Sequence, residues 1–596
     1  MDKNTFTGLF LILVILVGST FLLKPSEEEI KREQLVQDSI ARVKSGTTAP
    51  KNTQQVLIQD TASTTINVVE KEVISYLENE NMKVALSNLG GKIISTELKT
   101  ETNYKGESVK LLDNNTDFGL EFISNGKNVN TNTLFFTRTD SAANKITYKY
   151  AQPDGSFINY SYALAEGSNK VDFSVTLSGY GQKIAGSTTD LSLIWSANLL
   201  QQEKDLKNER NYSTSYYKIL NDNVDHLSEA DSDEENFEDK KLEWVSYKQH
   251  FFSSVLIAKE GFSKANLKVE TSATNDIVKK YVSKLGLPYS PKDINSYDFT
   301  FYFGNNKFSQ LKDQGHDLER QVKMGWGPLR WINRYLVLPI FNFFNSFNLS
   351  YGLIILLLTV ILKTALFPFT YKSYLSMAKM RVLKPEMDEI KAKVGDNNQA
   401  LLQQEYLKLY KQAGVNPLGG CLPLLFQMPF ILAFFYFFPN LFELRGESFL
   451  WMTDLSTYDD ELISFAPIPL LGWSHISVMC LLMTLSTLIY TYFNNQVSNV
   501  QGQMKYIGYI TPIIFFGVLN SFPAGLNYYY FCANILTFTQ QFIIRRFVDD
   551  DKIHAQIQEH KKKPETAKKK GGFQKKLEDM MRQQQQIQQQ QQKNKK

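Results

Sequence analysis

Cysteine is nearly absent. The chain holds three in 596 residues, Cys421, Cys480 and Cys532, and each lies in an apolar segment. None falls in the long hydrophilic part of the chain, so no disulfide framework is expected. Catalytic motifs are missing as well: there is no GxxxxGK[ST] phosphate loop, no HExxH and no GxSxG. Neither a nucleotide-driven step nor a hydrolase reading has residues to carry it. The acidic run from Asp231 to Asp239 lacks the spaced Asp/Asn ligands and the glycine of a calcium loop, so it reads as a solvated loop.

Long apolar runs are abundant, and one organises the rest. Residues 349 to 369 contain a single cation, Lys363. About 20 apolar residues cross a hydrocarbon core of about 30 Å, so this run predicts a transmembrane helix. A cation at that depth costs roughly 2.5–3.5 kcal/mol. Lys363 either snorkels toward the interface near Pro368 or is a charge held in a wet cavity.

Further apolar runs at 421–442, 470–493, 506–521 and 525–544 predict four more spans, the last two joined by the short turn Ser521-Phe522-Pro523-Ala524. Residues 6–23 add a sixth. A cleaved signal peptide competes there, with Val17-Gly18-Ser19 as its site, but the apolar run continues through Leu23 and favours an uncleaved anchor. No cysteine follows it, so a lipid anchor there is not expected.

The predicted division begins with a signal anchor at 1–24 and a polar linker at 25–69 whose composition cannot bury enough apolar surface to pack. Residues 70–322 form one antiparallel β sandwich. Its signals are alternating runs such as Met82–Leu86, Phe157–Ala163, Lys170–Leu177 and Tyr297–Phe303, separated by Gly, Asn and Asp. Residues 323–348 mix Trp, Arg and Phe as an amphipathic interfacial segment. Residues 349–544 form a five-helix core that includes a basic helical hairpin at 371–414, and 545–596 form a basic tail.

Charge orients these parts. The tail holds 15 Lys/Arg against 7 Asp/Glu, the hairpin 8 against 5, and residues 443–461 only 1 against 6. The positive-inside rule puts hairpin and tail in the cytoplasm and 443–461 outside. Six spans then place both termini inside and the β domain outside. The glutamine-rich stretch 583–592 is low complexity.

Three motifs carry a resemblance: Ser376-Met377-Ala378-Lys379-Met380, the run Asn416-Pro417-Leu418-Gly419-Gly420-Cys421-Leu422-Pro423-Leu424-Leu425-Phe426-Gln427-Met428-Pro429, and Phe522-Pro523-Ala524-Gly525-Leu526-Asn527-Tyr528-Tyr529-Tyr530. Over about residues 350–546 the chain resembles the YidC/Oxa1/Alb3 insertase family. In the outer domain, Asn88-Leu89-Gly90-Gly91-Lys92 resembles the opening of that family's sandwich.

The resemblance implies a polytopic α-helical protein of six spans with a large periplasmic antiparallel β sandwich, seated in the bacterial inner membrane. It implies an insertase and chaperone for nascent membrane proteins, acting alone or with the Sec translocon, and not an enzyme or a user of cofactors. The last five spans would enclose a hydrophilic groove open to cytoplasm and lipid bilayer and closed to the outside, with a cation in the second helix. That cation is arginine in most of the family, and Lys363 stands at its position. Lysine keeps the charge and loses the bidentate fork. Thr359 and Tyr530 match positions on the groove and its hydrophobic slide.

A secondary transporter or channel for a small solute is the alternative, but it predicts inverted repeats that five core spans do not supply. A purely structural envelope scaffold leaves Lys363 and the basic hairpin unexplained. In the tail, Lys561, Lys562, Lys563, Lys568, Lys569 and Lys570 form clusters suited to ribosomal RNA. Arg545 and Arg546, at the helix end, suit a topogenic role instead.

Overall fold

The computed structural model describes residues 71–562 apart from 141, 273, 275, 396–398, 417–421, 467–472 and 499–502. The anticipated first span, the linker and the glutamine-rich stretch therefore lie outside the described residues, as do Lys563 and Lys568 to Lys570.

Residues 74–305 build three sheets in which every strand pair is antiparallel. The nine-stranded sheet runs Val224–His226, Thr214–Ile219, Leu242–Lys248, Phe252–Phe262, Ile294–Asn305, Lys170–Ser178, Phe157–Leu164, Lys145–Ala151, Thr137–Arg138. The six-stranded sheet runs Asp233–Phe237, Ala265–Thr271, Ile277–Pro288, Asp190–Leu200, Thr116–Ser124, Lys127–Asn130. Burial alternates strictly along Phe157–Leu164 and Asp190–Leu200, as a half-buried strand requires.

The two inner faces meet through aromatic rings. Phe118 packs edge-on against Phe173 at 5.3 Å, and Trp195 stacks on Tyr247 at 3.8 Å. This is the sandwich that the alternation predicts. A four-stranded sheet, Ile74–Glu78, Met82–Ser87, Lys92–Thr102 and Ser108–Asp113, adds Met82, Val84, Leu86 and Leu98 to the same core.

One expectation is corrected. The acidic run is no loop: Asp233–Phe237 is a strand at the edge of the six-stranded sheet, paired with Ala265–Val269. Its single inward anchor is Phe237, while Asn266 donates to Glu234 at 2.8 Å and Tyr217 to Glu235 at 2.8 Å. A charged strand at an edge resists pairing with other chains, and that charge hid the strand from a hydropathy reading.

The helices follow in chain order. Two short ones, α1 (Leu206–Asn211) and α2 (Phe308–Asp313), belong to the β region. Next come α3 (Gly327–Ile332) and α4 (Leu338–Asn345), joined by the wide turn Asn333–Val337. This segment buries Leu329, Val337, Leu338 and Phe341 and exposes Trp326, Trp331, Tyr335, Phe343 and Phe347.

The long helix α5 (Tyr351–Val382) is followed by α6 (Lys384–Val394) and α7 (Gln399–Ala413). Residues 371–382, expected in the hairpin, continue α5, so the hairpin itself is α6 and α7. Then come α8 (Leu422–Phe437), α9 (Val478–Ser498), α10 (Gln503–Leu519), α11 (Ala524–Phe547) and α12 (Asp550–Lys562). Among the described residues only α5 is by itself long and apolar enough to cross a membrane. The others fall short for two physical reasons. Helices α8 and α10 are 16 and 17 residues long, and α9 and α11 each carry a polar stripe.

Candidate functional site

Lys363 sits on α5 with 6% of its surface exposed. Its Nζ donates to Thr537 Oγ1 on α11 at 2.7 Å and to Gln427 Oε1 on α8 at 3.1 Å. From α11, Gln540 Nε2 donates to the Lys363 carbonyl at 3.1 Å. The ammonium is thus held between three helices by uncharged groups, and among the described residues no carboxylate is paired with it. This excludes snorkelling: the amine reaches across to α8 and α11.

The polar stripe continues along α11. Asn534 Nδ2 donates to Ser486 Oγ at 3.0 Å and Thr487 Oγ1 at 2.8 Å, both on α9, and Gln541 donates to Tyr490 Oη at 3.3 Å. Gln427, Asn534, Thr537 and Gln540 were missed in the sequence. The signal was present: Asn534, Thr537 and Gln541 recur at intervals of three and four inside an apolar helix, one face of a 3.6-residue period.

Thr359 and Tyr530 each donate to a backbone carbonyl. Thr359, one turn before Lys363, is fully buried, and its hydroxyl donates back to the Ile355 carbonyl at 2.6 Å. Tyr530 donates to the Ile431 carbonyl at 3.2 Å and lies against Phe435, tying α11 to α8. An unneutralised cation can attract an acidic segment. At about 4 Å and an effective dielectric of about 20, such a pair gains on the order of 4 kcal/mol, which exceeds the cost of burying the lysine. Among the described residues no cluster of three metal-binding side chains occurs.

In the tail, one expectation changes. Lys561, expected in a free cluster, pairs with Glu386 of α6 at 2.6 Å, whereas Lys562 is exposed. Helix α12 is docked on the hairpin: Ile553 and Ile557 are buried with Leu383, Met387 and Leu409, and Arg381 grips both Asp550 oxygens at 2.6 and 2.9 Å. The docking of α12 leaves little trace in the sequence, because its buried face consists of two isoleucines.

On the opposite side, the β domain is tied to the segment that follows α8. Arg445 Nε donates to Glu203 at 2.8 Å, and Arg445 Nη2 to the Thr102 carbonyl at 2.7 Å. Burial raises the Glu203 carboxyl, and the Arg445 guanidinium pulls it back. His250 Nε2 donates to the Pro439 carbonyl at 2.6 Å, and burial pushes that imidazole down to about 3, so it is neutral. Lys204 pairs with Asp460. Residues 443–461 therefore lie on the β-domain side.

A helical core with one membrane-length helix and a buried cation, joined to a β sandwich, defines the class: a membrane protein with a large β domain. The family model described as 60Kd inner membrane protein matches residues 342–552, and that of the YidC periplasmic domain matches 76–339. The membrane protein insertase YidC of Parabacteroides distasonis is 37% identical over 605 residues, 95% of each chain. That of Bacteroides fragilis is 36% identical over 590 residues, again 95% of each. A solved active YidC insertase is 16% identical with a TM-score of 0.33, over 80% of this chain and 93% of that one. The chain belongs to the YidC family. The small-solute transporter alternative finds no support in these relatives.

Proposed function

We propose that this protein inserts integral membrane proteins and assists their folding through a hydrophilic groove whose charge is Lys363. The observation that carries the reading is the Lys363 ammonium, buried between α5, α8 and α11 with only uncharged partners. The polar segment of a substrate must cross about 30 Å of hydrocarbon. A hydrated cavity partway through shortens that path, and the cation draws in acidic residues while the apolar flank leaves sideways into lipid. No covalent step is involved.

The finer proposal keeps six spans, the first at residues 6–23, with both termini cytoplasmic and the β domain periplasmic in a bacterial inner membrane. The divisions at 24, 69, 322, 348 and 544 stand with it. The Sec translocon and the ribosome are proposed partners. Thr359 supports the Lys363 helix, and Tyr530 belongs to the slide.

The test is insertion of a small substrate with an acidic outer segment, followed by protease protection. Lys363→Arg is expected to work within about threefold of the parent, and Lys363→Glu to lose tenfold or more. Normal insertion by the Glu variant overturns the reading. For the ribosome, Gln at Lys562, Lys563, Lys568, Lys569 and Lys570 should weaken co-sedimentation, because clustered cations bind RNA by counterion release. Unchanged co-sedimentation at low and moderate salt removes the ribosome from the proposal.

A further inference from the structure

Three pieces of chain meet on the β-domain side of the core: residues 443–461, the entry to α9, and the turn between α10 and α11. They are joined by a knot of buried polar side chains. Asp459, 2% exposed, accepts from Trp451 Nε1 at 3.0 Å, from the Met479 backbone N–H at 3.0 Å and from Ser477 Oγ. Ser477 in turn caps α9, its Oγ accepting from Cys480 N–H at 3.0 Å. Asn520, fully buried, accepts from Ser477 N–H at 2.9 Å and donates to the His475 carbonyl at 3.0 Å, while His475 Nε2 donates back to the Asn520 carbonyl at 3.0 Å. Backbone bonds from Ala524 to Thr457 (2.7 Å) and from Gly525 to Leu455 (2.9 Å) fasten the loop to the turn.

Below the knot the chemistry changes twice. First comes an apolar layer in which Cys480, Met483 and Leu519 are buried against Phe435, Phe522 and Tyr530. Then comes the polar stripe of Ser486, Thr487 and Asn534 that leads to Thr537 and Lys363. Along α9 the layer between Cys480 and Ser486 is about 9 Å deep, at about 1.5 Å per residue. A packed apolar layer of this kind excludes water and ions as long as its walls stay together. The knot holds those walls. Among the described residues, Asp459 is the one side chain bonded to Trp451 of the loop, to the cap of α9 and to its first turn.

We infer that Asp459, with Ser477 and Asn520, is the latch that keeps the groove shut toward the β-domain side. It is a positioning residue for insertion: it touches no substrate, and its loss joins the groove to the outer solution. Simple capping of α9 would need Ser477 alone. The link through Trp451 and the loop is what a latch adds. Removing the carboxylate leaves the buried Met479 N–H and the half-buried Trp451 indole N–H without an acceptor, which favours parting of the walls. The inference rests on the insertase reading, but its test measures thiol access rather than insertion, so either can fail without the other.

Cys480 is the native reporter, buried one turn below the latch. In the full-length protein carrying Cys421→Ser and Cys532→Ser, in membranes with the β-domain side outward, a membrane-impermeant sulfonated maleimide should leave Cys480 unmodified. Adding Asp459→Ala should speed its labelling at least tenfold, with Asp459→Asn in between, since the amide keeps one acceptor oxygen. Where Asp459→Ala fails to accumulate, Trp451→Phe, which removes a single bond, should give about threefold. A companion protein with Cys421→Ser and Cys480→Ser reports Cys532, in a separate packing cluster on α11, and should stay unlabelled with or without Asp459→Ala. Unchanged Cys480 labelling in the variants overturns the latch, and so does equal opening of Cys480 and Cys532, which would mean general loosening.

Discussion

Lys248 in the β domain and Lys363 in the helical core are both buried lysines with uncharged hydrogen-bond partners, and they differ in the charge that lies nearby. Lys248 is 1% exposed, donates to the Tyr212 carbonyl at 2.7 Å and lies over the Tyr216 ring. Burial pushes its ammonium down to about 8, and the Glu229 carboxylate opposes the fall. Lys363 has a hydroxyl and an amide but no carboxylate partner. The surroundings are inverted as well. The β domain hides Trp195, Tyr247 and Phe301 and turns polar residues outward, whereas the core exposes Ile489, Ile513 and Phe542 and keeps its Asn, Thr and Gln inside. A buried charge that is compensated belongs to the fold; one left uncompensated marks a site that works on something else.

The sharpest break of this contrast is Arg445→Ala. Arg445 is paired with Glu203 and Glu101, caps the Thr102 carbonyl and covers the Phe252 ring at 4.8 Å. Truncating it strands the Glu203 carboxylate in a buried interface, which costs about 3 kcal/mol. A lower thermal unfolding midpoint in detergent is the expected outcome, with insertion per folded molecule within about twofold of the parent. A large loss of insertion at an unchanged midpoint would place this β-domain contact in the working machinery and blur the distinction between the regions.

How far each region could be read from the sequence follows from the same inversion. Strand alternation was plain where one face of a sheet meets a core and the other meets water, and the runs Met82–Leu86, Phe157–Ala163, Lys170–Leu177 and Tyr297–Phe303 each fall inside a strand. The Asp233–Phe237 edge strand escaped, since an edge needs one anchor and many charges. In the core, apolar runs located the helices and a single charge located Lys363. Its partners were hidden because Gln427 and Thr537 are unremarkable alone and come together only when α8 and α11 pack on α5. The docking of α12 on the hairpin was equally invisible, resting on Ile553, Ile557 and pairs more than 100 residues apart in sequence.

The finest discriminator is Lys363→Met, a change of charge at nearly constant length. Two hydrogen bonds are lost, to Thr537 and Gln427, each worth roughly 1.5–3 kcal/mol when one partner is charged. Against this, the cost of holding a cation in a low-dielectric site disappears, and that cost is of the same order. The two cancel in part, so the unfolding midpoint is expected to fall by an amount equivalent to about 1.5 kcal/mol, half the drop expected of Arg445→Ala. The Thr537 hydroxyl keeps its own bond to the Ala533 carbonyl at 2.7 Å, so no donor is orphaned. Insertion of a substrate with an acidic outer segment should nevertheless fall severalfold. A midpoint drop as large as that of Arg445→Ala would show that Lys363 is as structural as Lys248, and the contrast between the two regions would not hold.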